Sequence, residues 1–328
     1  MHRQRTASLL TVLAVTIGTS LFLLTSKKYE YDEAAYASLL TRQLSPVSTD
    51  PEFKARAAGQ AISFYVKTSG KKRYLGRAER IADTWGKDAD SITFLFDNDD
   101  KEAVDEFGRE RPWAKIQHVE GTERFGEYKI TGGDSGAAHT AQRLKTRAVF
   151  ASEFRDHDDA VTPEPPEEKG QQQQPVADWV CYLDDDMLVN VANLKEDLIE
   201  KEPLCAPNCL IGDEWGHGGD KFTAGGWCMQ RPLAARVSEL LKDHTDKELR
   251  WTSTDDVSFN SRVIRDKLGV SPTDSERWCS ELIMRKRHKS YKFPKVPGKT
   301  YWETVVPNLA VYHIRFLWSD DAAEFSFV

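Results

Sequence analysis

From residue 61 onward, short apolar runs alternate with stretches whose apolar residues recur every third or fourth position. "AISFYV" is a run of buried-strand character, and "RYLGRAERIADTW" after it has helical spacing. "SITFLF" predicts a second strand, "KEAVDEF" a short helix, "AKIQHV" a third strand and "AAHTAQRLKTRAVFASEF" a long helix. Strands alternating with helices in this way predict an α/β fold on a largely parallel sheet.

The alternation breaks at Arg155 to Pro175, "RDHDDAVTPEPPEEKGQQQQP". Proline, acidic residues and a glutamine run cannot bury enough apolar surface to order themselves, so 155–175 reads as an exposed, disordered insertion. The strand that follows, in "DWVCYLDDDMLVN", ends in Asp184, Asp185 and Asp186. Ligand sites in open parallel sheets lie at the carboxyl ends of the strands, so both halves are expected to share one sheet. Beyond come a helix from about Val191 to Lys201, a glycine-rich bend "EWGHGGDKFTAGGWCM" and a helix "PLAARVSELLKDH". In "TSTDDVSFNSRVIRDKLGV" a second acidic pair, Asp255 and Asp256, opens a helix. The C-terminal part is irregular and aromatic, with one more strand at "LAVYHI".

The first residues add a compartment. Thr6 to Ser26 carries no charge, and roughly twenty such residues suffice for a helix to cross a bilayer. The expectation is a cytosolic tail over 1–5, a signal anchor over 6–26 and a polar stem over 27–57. A cleaved signal peptide is the alternative, although "LFLLTSKK" offers no small-residue cleavage site. Either way the folded part lies outside the cytosol. The 5 cysteines leave pairings open: Cys205 with Cys209, Cys181 with Cys228, or all reduced and buried. A net charge of -7 and scattered basic residues argue against a nucleic-acid partner, and "RKRHK", Arg285 to Lys289, reads as a solvated loop or helix end.

Adjacent carboxylates at a strand end form a hard-oxygen site suited to Mg²⁺ or Mn²⁺ rather than zinc. Alternate residues of an extended chain share a face, so Asp184 and Asp186 are expected to point together and Asp185 elsewhere. Such ions keep few protein ligands and complete their shell with water and phosphate oxygens, which anticipates a phosphorylated ligand. A solvated acidic turn is the plain alternative. A calcium loop starting at Asp97 is excluded by Glu102 and Gly108, where its glycine and bidentate glutamate belong.

"WVCYLDDDMLVN" resembles the "W-F-C-x-V-D-D-D-x-Y-V-N" signature of the Fringe-like β-1,3-glycosyltransferases, an inverting Golgi family with a GT-A fold. The likeness runs in order through "FYVKTSGKKRYLGRAERIADTWG", "ITFLFDNDD", "GAAHTAQRLKTRAVF", "FTAGGWCM" and "TDDVSF". It implies a single Rossmann-like GT-A domain over 58–328, with a mostly parallel mixed sheet flanked by helices, behind the membrane helix and stem. It also implies Mn²⁺ or Mg²⁺, a UDP-sugar donor, a glycan or glycoprotein acceptor, and a single-pass type II protein of the Golgi membrane with its catalytic domain lumenal.

Residue by residue, the resemblance makes Asp186 the main metal ligand, with Asp184 and Asp185 contacting the metal's waters and the donor ribose. Asp256 matches the catalytic base, and Asp255 beside it binds donor or acceptor or caps the following helix. Lys67, Thr68, Arg77 and Asp97 fall where the family holds the nucleotide, and Arg147 where a family lysine approaches the diphosphate. Cys181 and Cys228 match cysteines that pair in Fringe proteins. Two features depart from the pattern. "WCSEL" lacks the Fringe metal-binding histidine, so His313 in "LAVYHIR" is nominated, as in other members of the superfamily, with a satisfied strand histidine as the alternative. Thr223 and Ala224 replace usual glycines, which is expected to alter the tight backbone approach to the substrate. Trp215 and Trp227 read either as stacking platforms for sugar rings or as core. Two other functions use the same residues: a membrane-anchored metal-dependent phosphohydrolase, and a catalytically silent sugar-binding protein on the same fold.

Overall fold

The computed structural model describes residues 48–98, 101–122, 135–154, 176–215, 222–223, 225–251, 258–279 and 310–313. The expected tail, anchor and most of the stem, the insertion 155–175, the "RKRHK" run and the pair Asp255 and Asp256 lie outside the described residues, as do the side chains of Trp215 and His313. Among the described residues no helix is long and apolar enough to cross a membrane.

Asp50 opens helix α1 (Pro51–Ala58) by accepting the Glu52 N–H at 3.0 Å, with Pro51 in the first turn, where its missing donor costs nothing. Ala57 of this helix is buried, so ordered packing begins inside the span read as stem. Strand β1 (Ile62–Lys67), helix α2 (Lys72–Asp83), a 3₁₀ turn at Trp85–Asp88, strand β2 (Ser91–Asp97), helix α3 (Lys101–Glu110), strand β3 (Lys115–Val119) and helix α4 (Ser135–Glu153) follow. Then come β4 (Trp179–Asp184), β5 (Met187–Val189), α5 (Val191–Cys205), β6 (Leu210–Gly212), β7 (Glu214–Trp215), β8 (Phe222–Thr223), β9 (Gly226–Gln230) and α6 (Arg231–Asp243). A π-helical stretch Phe259–Arg265 precedes the short strands β10 (Thr273–Asp274), β11 (Trp278–Cys279) and β12 (Val311–His313).

The main sheet has the order β10-β6-β9-β4-β1-β2-β3. Strands β4, β1, β2 and β3 run parallel, β9 runs antiparallel between β4 and β6, and β10 is parallel to β6. Both faces are covered, which is why the strands read as nearly continuous apolar runs. Phe64, Val66, Phe94, Phe96, Cys181 and Leu183 pack on one face with Ile81 of α2, Phe107 of α3 and Leu194 of α5. The alternating set Tyr65, Leu95, Val180 and Tyr182 packs on the other with Phe150 of α4 and Leu233 of α6. Cys181 and Cys228 sit directly opposite on β4 and β9 and form a disulfide, and a second disulfide joins Cys205 to Cys209.

Helix α5 is fastened to the β10–β11 segment by a buried carboxylate. Asp197 accepts from the Ser275 hydroxyl at 2.8 Å and from Trp278 Nε1 at 3.1 Å. Burial pushes its carboxyl up to about 6; the Ser275 hydrogen bond and the charges of Arg277 and Lys201 oppose the rise, and Glu200 adds to it. The folded state therefore holds this proton more tightly than the unfolded chain. The stabilisation is complete below the ordinary carboxylate range and is lost as pH rises through about 6. Asp197→Asn keeps an acceptor but cannot ionise. Relative to the parent it is expected to gain roughly 2–3 kcal/mol of stability between about pH 4 and 7. Urea unfolding at both pH values checks this, and a difference independent of pH refutes it.

Candidate active site

Parallel strands end on the same side of a sheet, and here those ends collect charge. Lys67 closes β1, Asp97 closes β2 and Asp184 closes β4, with Lys67 in register with Asp184. Asp184 N–H donates to the Gly225 carbonyl at 3.2 Å, so the entry to β9 adjoins the same end. Asp185 and Asp186 form the turn into β5.

Lys67 Nζ lies 2.6 Å from the Asp184 carboxylate and 5.4 Å from the centre of the Tyr182 ring. Asp185 accepts from Arg77 at 2.9 Å and from the Thr68 hydroxyl at 3.0 Å. Its burial pushes the carboxyl up to about 6, opposed by Arg77 and reinforced by Asp186. Asp186 lies 3.5 Å from the same Arg77, whose guanidinium stands 5.4 Å from the Tyr74 ring centre. The expected shared face of Asp184 and Asp186 is thereby corrected. Strand periodicity stops where the turn begins, so Asp185 and Asp186 both reach Arg77 while Asp184 turns to Lys67.

Helix α4 supplies a further cation that the sequence reading passed over. Lys145 is buried, with Nζ 2.6 Å from Asp97, and it donates to the Thr68 carbonyl. Arg147 is engaged elsewhere than the resemblance implied. Its Nε donates to Asp246 at 2.8 Å, and its terminal nitrogens donate to the carbonyls of Leu241 and His244, at the far end of α6. Two residues along a helix are separated by roughly 200° of rotation, so Lys145 and Arg147 cannot serve the same surface.

A small second sheet carries β12 to the triplet. It pairs antiparallel with β5 and sets His313 opposite Met187, the residue after Asp186. Trp85 fixes that segment from behind by donating to the Met187 carbonyl at 3.2 Å.

The stretch 252–257, with Asp255 and Asp256, is bounded by residues anchored on the β4–β9 face. Trp251 packs on Phe259 at 5.1 Å, Phe259 stacks on Trp227 at 5.7 Å, and Trp227 lies 5.4 Å from Tyr182. Asn260 donates to the Thr223 hydroxyl at 3.0 Å. Trp227 is 1 % exposed and belongs to the core, so it presents no ring to a sugar. The chain packs closely beside Thr223: a Cβ on Gly226 would sit 2.7 Å from the Tyr182 carbonyl oxygen, and one on Gly212 would sit 2.8 Å from Thr223 itself.

Among the described residues no three His, Cys, Asp or Glu side chains are arranged as a metal cage. The donor chemistry of the turn nevertheless fits a hard divalent cation: adjacent carboxylates at a strand end, with the His313 main chain in register beside them. Such a cation needs only one or two protein carboxylates when phosphate and water oxygens complete its shell.

The Fringe-like family model matches residues 58–203, from just before β1, through the triplet, to near the end of α5. Over these residues the chain is similar to Fringe-like proteins, and the architecture is a mixed and mostly parallel sheet between helices. No curated protein matches the sequence. Among solved structures, a glucosyl-3-phosphoglycerate synthase from Mycobacterium tuberculosis in complex with Mn²⁺, UDP and phosphoglyceric acid aligns over 70 % of this chain and 72 % of its own, at 13 % identity and TM-score 0.36. The galactosyltransferase LgtC, with donor and acceptor sugar analogs, aligns over 76 % of this chain and 86 % of its own, at 13 % identity and TM-score 0.38. A 4-diphosphocytidyl-2C-methyl-D-erythritol synthase aligns over 66 % and 87 %, at 15 % identity and TM-score 0.32. Likenesses this loose carry no argument about chemistry.

Proposed function

We propose that this protein is a metal-dependent, inverting glycosyltransferase that moves a sugar from a UDP-sugar to a hydroxyl of a glycan or glycoprotein, forming a β-1,3 linkage. One observation carries the reading: the Fringe-like match spans the acidic turn at the end of β4, where Lys67, Thr68 and Arg77 converge on its carboxylates. Asp186, with Asp184 and His313, would hold Mn²⁺ or Mg²⁺, which when bound supplies Lewis-acid stabilisation of the departing diphosphate. Lys67 and Arg77 balance the repulsion within the triplet and keep its turn closed. Asp97 and Thr68 present acceptor and donor groups to the nucleotide at the ends of neighbouring strands. Asp256 takes the proton of the attacking acceptor hydroxyl, and Asp255 orients donor or acceptor. One carboxylate at the reacting carbon suffices, because a single displacement inverts the anomeric centre. The uncharged segment 6–26 is long enough for a signal anchor, and together with the Fringe-like resemblance it supports a single-pass type II protein of the Golgi membrane with its catalytic domain in the lumen.

A panel of UDP-sugars incubated with the full chain and Mn²⁺ tests the reading. One donor is expected to release UDP, and chelation with EDTA is expected to stop the release. Cleavage of phosphomonoesters with no UDP released from any donor would instead establish the phosphohydrolase.

A further inference from the structure

We propose that Lys145 is the residue with which α4 positions the nucleotide end of the site, acting through Asp97 and the Thr68 main chain; the inference rests on the glycosyltransferase reading. The ammonium joins the ends of two adjacent parallel strands, contacting Asp97 of β2 at 2.6 Å and the carbonyl of Thr68 just beyond β1. The Thr68 hydroxyl in turn donates to Asp185 at 3.0 Å, and Asp185 accepts from Arg77. A single buried cation therefore links the carboxylate assigned to the nucleotide with the turn assigned to the metal and diphosphate.

Both members of the pair are buried, Lys145 at 7 % and Asp97 at 7 % exposure. A carboxylate buried without its cation protonates or draws in water, and either change spoils it as an anionic acceptor of fixed direction. The ammonium is engaged by the Asp97 carboxylate and the Thr68 carbonyl, so its effect passes through the groups it holds. Arg147, committed to Asp246 and two carbonyls, does not reach these groups.

The alternative is a tie that stabilises the sheet end without touching recognition. Titration of the full chain with UDP in the presence of Mn²⁺ separates the two. Lys145→Met is expected to weaken UDP binding about tenfold or more, the scale on which losing a hydrogen bond to a charged group, here Asp97, is felt. Removing one partner strands a buried charge, so the double variant Lys145→Met/Asp97→Asn, which removes both, is measured beside it. It is expected to bind UDP within about twofold of Asp97→Asn alone, because the carboxylate through which the lysine chiefly acts is already neutral there. The proposal is overturned if Lys145→Met binds like the parent, if the two losses multiply in the double variant, or if Arg147→Met weakens binding and Lys145→Met does not. A parent protein that binds none of UDP, GDP and CDP overturns the glycosyltransferase reading itself.

Discussion

Asp186→Ala is expected to lower sugar transfer by about 10³-fold or more while thermal unfolding stays close to that of the parent. The size follows from the role: a Lewis acid at the departing diphosphate contributes several kcal/mol, and each 1.36 kcal/mol is tenfold in rate. The small structural cost follows from the contacts. Asp185, not Asp186, has the 2.9 Å bond to Arg77 and the 3.0 Å bond to Thr68 that fix the turn. Asp185→Ala serves as the contrast, since it leaves Arg77 buried without its nearest carboxylate and should lower stability as well as rate. Initial rates with the donor found in the UDP-sugar screen, circular-dichroism melting and a Mn²⁺ titration separate the effects. Asp186→Ala retaining a tenth of parental activity would remove Asp186 from the role of principal metal ligand.

The central sheet was legible because its strands are buried on both faces: "AISFYV", "SITFLF" and "WVCYLD" can do little else with so many apolar residues in so short a run. Of the candidate site, the position of Lys67, Asp97 and Asp184 at strand ends was legible, because each closes an apolar run. Local rules failed where geometry changed from one residue to the next. Alternation of faces holds along β4 but not through the turn at Asp185 and Asp186, and sequence does not mark that transition. Helix phase was the second loss. Ala141, Lys145 and Val149 recur every fourth residue and all are buried, so a charge on the inward stripe of α4 was available as a signal. The family resemblance implies Arg147 instead, which clamps Asp246 together with Arg143. Helix α1 had its own mark, the Asp50–Pro51 start, hidden by the polar composition read as stem. Trp227 illustrates the opposite limit, since an aromatic beside a glycine bend reads the same whether it faces a ligand or, as here, the stack formed by Tyr182, Phe150 and Phe259.

Asp256→Asn is expected to reduce kcat by roughly 10²–10⁴-fold with little change in donor affinity, the range for loss of a positioned general base. The amide matches the carboxylate in shape but cannot accept the acceptor's proton, so the loss should fall on the chemical step. The choice of asparagine decides between two roles. Asp255 and Asp256 stand shortly before the helical stretch that starts at Phe259, and a residue that only caps a helix can be exchanged for asparagine almost without cost, because Asn and Asp cap about equally well. Alanine would remove cap and base together. Donor affinity should hold because the flanks are anchored independently: Trp251 and Phe259 pack in the aromatic stack, and Asn260 bonds Thr223. A base also leaves a signature in pH, a transfer rate that falls as acid titrates it, and this limb should flatten in Asp256→Asn but persist in Asp255→Asn. An Asp256→Asn enzyme with parental kcat and an unchanged acid limb would assign the proton to another group and leave Asp256 as a cap.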